Sequence, residues 1–240
     1  MSQRVGKRTW TGVIGVLSAL TWGCGDGEFQ IKVAKPAAER PDVRVAGIEL
    51  SSVSLPDPTP FNVTPFASHE SGACSARCSA TDQGAGAASV DAAGGGFGWA
   101  EFHVGYAFDQ LSDHPVSAVI EVAVECAQSV EATAGEPNNI AKATLQFLVR
   151  DSNGVTLHRE TLAAASSETG NRRWSASEAS AVDVVLPPGV GYFVTVAGRA
   201  EASAGGTRKS VATVEVKSCR MKVVCRKADE AAAAPPAARP

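Results

Sequence analysis

Aromatic side chains make up only 6% of this chain, and it holds just two methionines and two tyrosines. A core so short of rings is built from Val, Leu, Ile and small residues, which suits closely packed sheets and leaves no room for a large cofactor cavity. Positive charge is scarce too. The formal net charge is −3, and without Arg4, Lys7 and Arg8 there remain 19 basic residues against 25 acidic ones, a net of −6. That balance offers no phosphate-neutralising surface, so nucleic acid is not an expected partner. Catalytic signatures are missing as well: there is no G-x-S-x-G elbow, no H-E-x-x-H, and no glycine loop followed by Lys and Ser or Thr. His69, His103, His114 and His158 each stand outside any motif that supplies a nucleophile, an orienting carboxylate and an oxyanion hole. The expectation is a protein that is not an enzyme and takes neither a cofactor nor a metal.

What the chain does have begins with Arg4, Lys7 and Arg8, a charged head before the apolar run Thr9 to Trp22. The run has the length of a secretory signal peptide and is shorter than the ~20 apolar residues of a membrane span. It stops at Gly23-Cys24-Gly25, where small residues flank a cysteine. This segment resembles the lipobox of bacterial lipoproteins, with Thr21 at the position where that family favours Leu. The resemblance implies that Cys24 becomes the first mature residue and carries a lipid, placing the protein in the cell envelope, anchored to a membrane and facing the periplasm or the cell surface. An ordinary leader peptidase cutting after Gly23 would instead release a soluble secreted protein.

Residues 24–44, polar and broken by Pro36 and Pro41, read as a flexible tether, and residues 227–240 read as a disordered tail too poor in apolar variety to pack. Between them, residues 45–226 read as one β domain. Its clearest strand is VSAVIEVAVECAQSVE, Val116 to Glu131, in which Val116, Ala118, Ile120, Val122, Val124, Cys126 and Val130 share one face. At this length it is expected to bend or carry a bulge. GWAEFHVGYAF, AKATLQFLVR and VGYFVTVAGRAEAS alternate in the same way, and Asp151 to Gly154 spells a hairpin turn. Two adjacent runs joined by DQLSDHP are expected to pair with each other. The stretch from His69 to Gly98, including CSARC, is read mainly as loop with one short edge strand, AASVDAA (Ala87 to Ala93), and Ala163 to Ser180 as a long polar interruption. The total is eight or nine strands and no amphipathic helix. The fold class is all-β, a two-sheet antiparallel β-sandwich of immunoglobulin-like or jelly-roll kind, with a closed β-barrel as the alternative.

Cysteine usage in an exported chain points to disulfides. With Cys24 lipidated, the candidates are Cys74, Cys78, Cys126, Cys219 and Cys225. Cys74 and Cys78 are close enough in sequence to close a small ring, and Cys126 is expected either as a buried free thiol or paired with Cys219 or Cys225. For ligand binding the candidates are Arg172, Arg173 and Trp174 in a polar loop, together with Trp99, which combine charge with a stacking surface. Glu121 and Glu125 fall on one strand face about 13 Å apart, too wide for a glycosidase pair, which stays within about 9.5 Å. Two functions follow. The first is an envelope protein acting as a structural or binding module for a glycan or another envelope protein; the alternative is an enzyme on envelope polysaccharide whose site is assembled from separate strands.

Overall fold

Period-two alternation becomes nine strands among the residues that the computed structural model describes, 51–62, 66–133 and 138–227. They are β1 (Ser51–Leu55), β2 (Phe66–Ala80), β3 (Gly86–Asp109), β4 (Val116–Ala132), β5 (Ile140–Asp151), β6 (Thr156–Ser166), β7 (Arg172–Leu186), β8 (Gly191–Ser203) and β9 (Lys209–Lys227). Every ladder is antiparallel, in the order β6-β5-β8-β3-β9-β4-β7, with β1 added beside β9 and β2 beside β3. A single turn of 3-10 helix, Ser167–Thr169, links β6 to β7.

The sheet doubles over because β3 changes layers partway along. Its second part, Phe97 to Asp109, pairs with β8, and its first part, Gly86 to Ala93, pairs with β9. The break is Gly94 to Gly96, where Gly94 and Gly95 take positive φ values of 55° and 87°, a region that side chains with a Cβ avoid. Strand β2 bends with it at Gly72, φ 65°. The bend is sharp enough that the Cys78 thiol donates to the Ala67 carbonyl at 3.5 Å, although the two lie 11 residues apart on one strand. An unbent strand would separate them by roughly 36 Å. One layer is therefore β6, β5, β8 and the end of β3; the other is the start of β3, then β9, β4 and β7, with β1 at its edge.

The inward faces of the two layers form one core. On β4 all seven expected inward residues are buried, and each Val or Ile among them contributes about 1.5–3 kcal/mol. The strand is also interrupted as its length requires, with a register shift against β9 between Glu125 and Cys126. Aromatics are few but grouped: the Tyr106 and Phe108 rings lie 5.9 Å apart and the Phe108 and Tyr192 rings 5.8 Å. The Tyr192 hydroxyl donates to the Pro187 carbonyl at 2.8 Å, and burial, aided by the charge of Asp151, pushes its phenol up to about 12. At the hairpin, Asp151 accepts from the amides of Asn153 and Val155, and Gly154 takes φ 87°.

The structure is a sandwich and not a closed barrel, since β6 and β7 end the strand path without a ladder between them. They meet instead through side chains, the Ser180 hydroxyl bonding the Glu160 carboxylate across the seam. Several expectations are corrected. Residues 66–80 are strand, with the CSARC segment inside β2; the strand expected at Ala87 to Ala93 is present but is part of β3 and paired on both sides, by β2 and β9. The interruption after β6 shrinks to residues 167–171, because β7 starts at Arg172. Strands β3 and β4 do not pair; DQLSDHP crosses from one layer to the other, secured by the buried Gln110, which donates to the carbonyls of His114 and Leu186 and accepts from the Ser112 amide. The proposed first strand is seen from Ser51 onward, and its residues 45–50, like Cys24, the tether and the tail beyond residue 227, lie outside the described residues.

Strand geometry also revises the cysteine pairings. No disulfide joins any two of Cys74, Cys78, Cys126, Cys219 and Cys225. Cys74 and Cys78 are four positions apart on a straight part of β2, about 13 Å, beyond the reach of a bridge. Cys225 pairs in register with Ala118, eight positions from Cys126 along β4 and hence roughly 26 Å away. Cys219 stands diagonally from Cys126, opposite Val124, with both side chains in the core as separate thiols. Burial pushes the Cys219 thiol up to about 12.

Candidate functional site

The outward face of the β2-β3-β8-β5 layer gathers a connected group of polar and aromatic side chains. Period two puts Phe97, Trp99, Glu101 and His103 of β3 on this face, since Ala100, Phe102 and Val104 between them are buried. Register then sets their neighbours. One row across the sheet reads His69, Trp99, Glu201, Lys142, and the next Ala67, Glu101, Arg199, Thr144. The platform spans four strands, about 14 Å across.

Its charges are joined into one network around Arg199. The guanidinium donates from Nη1 to Glu101 Oε2 and from Nη2 to Glu201 Oε2, each at 3.2 Å, and lies over the Trp99 ring at 4.7 Å from the centroid. Glu101 Oε1 is 2.6 Å from His103 Nε2. Burial raises the Glu101 carboxyl, but the hydrogen bond and charge of His103 and the guanidinium of Arg199 outweigh it and hold the group below the usual glutamate range. Lys142 pairs with Glu168 at 3.2 Å. Phe97 is 37% exposed and its ring lies 6.2 Å from that of His69. The face thus offers rigid rings beside carboxylate and guanidinium groups that are already oriented by one another, and a ligand would meet donors and acceptors at fixed positions.

Of the expected binding residues, only Trp99 belongs to this platform. Arg172, Arg173 and Trp174 lie in the other layer and in a strand, paired with Val130, Ser129 and Gln128 of β4. Arg172 and Arg173 are exposed, while Trp174 faces inward and packs against the core. His69, Phe97, Glu101, His103, Arg199 and Glu201 were not expected at a site. Their only linear signal is the alternation in Phe97 to His103; Arg199 and Glu201 arrive about 100 residues later and carry none. No group of three or more His, Cys, Asp or Glu among the described residues is placed to hold a metal ion.

No protein-family model matches the chain, and no curated protein matches it. Among solved structures, a structure described as addressing the promiscuous specificity of carbohydrate-binding modules of the β-sandwich superfamily aligns at TM-score 0.28 and 8% identity, over 64% of this chain and 55% of that one. A family 11 carbohydrate-binding module from Clostridium thermocellum, in complex with a β-1,3-1,4-mixed-linked tetrasaccharide, aligns at TM-score 0.19 and 9% identity, over 63% of this chain and 87% of that one. The family 11 module of the cellulosomal cellulase Lic26A-Cel5E of the same organism aligns at TM-score 0.19 and 7% identity, over 72% of this chain and 96% of that one. Likenesses at that level leave the fold resting on the strand pairings and the ligand on the site itself.

Proposed function

We infer that this chain is an exported glycan-binding module, held at the cell envelope by a lipid on Cys24, with the Trp99 platform as its binding face. The observation that supports the reading is the platform itself, where exposed Phe97 and partly exposed Trp99 stand beside the Glu101–Arg199–Glu201 network on a rigid sheet face. Sugar rings present one apolar face and a rim of hydroxyls, which match an aromatic edge with flanking carboxylate and guanidinium groups. Binding fits this open surface better than catalysis does. A general acid works best where water is excluded, whereas Glu101 shares its two oxygens between His103 and Arg199 on an outer sheet face.

Glycan-array screening of the domain, followed by calorimetry on the best hit, tests the reading. Trp99→Ala is expected to weaken binding about tenfold or more, the loss typical of an aromatic anchor, with the far-ultraviolet circular dichroism unchanged. Wild-type affinity in Trp99→Ala and in Phe97→Ala would remove the platform from the proposal. The anchor is tested separately, by metabolic labelling with a fatty acid: Cys24→Ser is expected to lose all label. Label retained on that variant would end the lipid assignment and leave the binding face untouched.

A further inference from the structure

A concavity lies on the opposite side of the molecule from the Trp99 platform, on the outward face of the β7-β4-β9-β1 layer. It has a volume of about 890 Å³ and crosses the strands from residues 179–181 of β7 to residues 54–57, the end of β1 and the turn that begins there. Its floor is made of exposed methyl groups, Ala123, Ala179 and Ala181, so a ligand can approach the sheet closely. Glu121 of β4 and Arg220 and Lys222 of β9 line it, and Glu125 of β4 lines a smaller adjoining hollow that shares Ala123, Ala179 and Arg220 with it and continues it along the strands. Lys222 is the register partner of Glu121, and Arg220 that of Ala123.

The charges differ in state from those of the Trp99 platform. There, Arg199 and Lys142 are ion-paired. Here none of Glu121, Glu125, Arg220 and Lys222 is within ion-pair distance of a partner among the described residues, although opposite signs stand on adjacent strands. Four kinds of ligand are disfavoured by what lines the groove among the described residues. No aromatic residue lines it, so a sugar ring finds nothing to stack on. The central floor strands β4 and β9 are already paired with each other and with β7 and β1, so a β-strand laid over the floor has no free main chain to join there. A polyanion would meet Glu121 and Asp57, and a polycation Arg220 and Lys222.

We propose that this groove binds an extended peptide segment that carries both acidic and basic side chains. In an extended chain, side chains on one side recur about every 6.6–6.8 Å, the same interval that separates Arg220 from Lys222 along β9. Acidic side chains of the ligand meet those two cations while its basic side chains meet Glu121 and Glu125, and the alanine floor takes the backbone between them.

Fluorescence anisotropy of the full chain with a labelled peptide of alternating Glu and Lys is the test. The expected result is binding that weakens as salt is raised, since the groups are exposed and screened. Charge reversal at the exposed positions, Glu121→Lys or Arg220→Glu, is expected to reduce affinity about tenfold each, and Trp99→Ala to leave it unchanged, which keeps this site distinguishable from the glycan platform. Combining Glu121→Lys with Lys222→Glu, which restores one charge of each sign, is expected to recover most of the loss. Any of three results overturns the proposal: no binding of the alternating peptide, equal binding of all-Glu or all-Lys peptides, or a neutral oligosaccharide whose affinity falls on Arg220→Glu.

Discussion

Gly198→Ala is expected to destabilise the domain by about 3 kcal/mol, the upper part of the range for an overpacked core. Phe102 is fully buried and is the register partner of Gly198. A Cβ added at Gly198 would come within 3.0 Å of the Phe102 ring. The ring cannot retreat, because a Cβ at Gly86, at the start of β3 in the other layer, would meet its opposite edge within the same distance. The ring is clamped between two glycines, one from each sheet. Urea denaturation of Gly198→Ala measures the effect, and a change below about 0.5 kcal/mol, the scatter of neutral surface substitutions, would refute the clamp. Phe102→Ala alone should cost about 3–5 kcal/mol. The pairing of Gly198→Ala with Phe102→Leu supplies the specific check. If clash and not helix or turn preference is at work, the double variant is more stable than the sum of the two single changes predicts.

Gly96→Ala is expected to be of similar size and to act on the corner. A Cβ there would come within 3.0 Å of the Ala73 carbonyl and of Ala93 O, all backbone atoms that hold β2 against β3. Backbone on both sides leaves no rotamer to relieve the contact, so relief requires opening the β2–β3 ladder where the sheet changes layers. We expect a loss of about 3 kcal/mol, with hydrogen exchange accelerating first in β2. The neighbour Gly95 is the control. Nothing lies within 4 Å of an added Cβ there, and its φ of 87° alone sets the penalty of Gly95→Ala, about 1–2 kcal/mol. Equal effects at the two positions, or exchange rates in β2 unchanged by Gly96→Ala, would show that the corner does not depend on Gly96.

These two predictions rest on what the sequence showed least well. The strands that were legible are those with large contrast between faces: β4 with Val and Ile against Glu, β5 with Leu145 and Phe147 inward, and β8 with Tyr192, Val194 and Val196. The missed strands have little contrast. In β2 the inward residues are Cys74, Ala76, Cys78 and Ala80, and in the first part of β7 they are Trp174, Ala176, Glu178 and Ser180. These last three are only half buried, because the seam between β6 and β7 is open and the position demands little hydrophobicity. A polar strand of that kind is indistinguishable from a loop by periodicity.

The site divides in the same way. Trp99 could be singled out as an unusual residue beside a strand, but Arg199 and Glu201 become its neighbours only through the β3–β8 register. The placement of Arg172, Arg173 and Trp174 in a loop is corrected, because pairing with β4 fixes them in a strand and turns the indole toward the core. Of the cysteine readings, the buried free Cys126 is the one seen and the bridges are not: residues on one strand are separated by about 3.3 Å per position, and only three-dimensional register tells whether two strands bring their thiols together.

The sequence by itself determined that the domain is all-β, which face of each high-contrast strand is buried, and where the Asp151 to Gly154 hairpin turns, since these depend on local alternation and on residues that accept a positive φ. Which strands share a sheet was decided only in the tertiary structure. Pairing is made between residues far apart in the chain, and a three-glycine corner that reads locally as a loop sends one strand into both layers. The same non-local register assembled the Trp99 platform on one outer face and set the acidic and basic side chains of the groove on adjacent strands of the other.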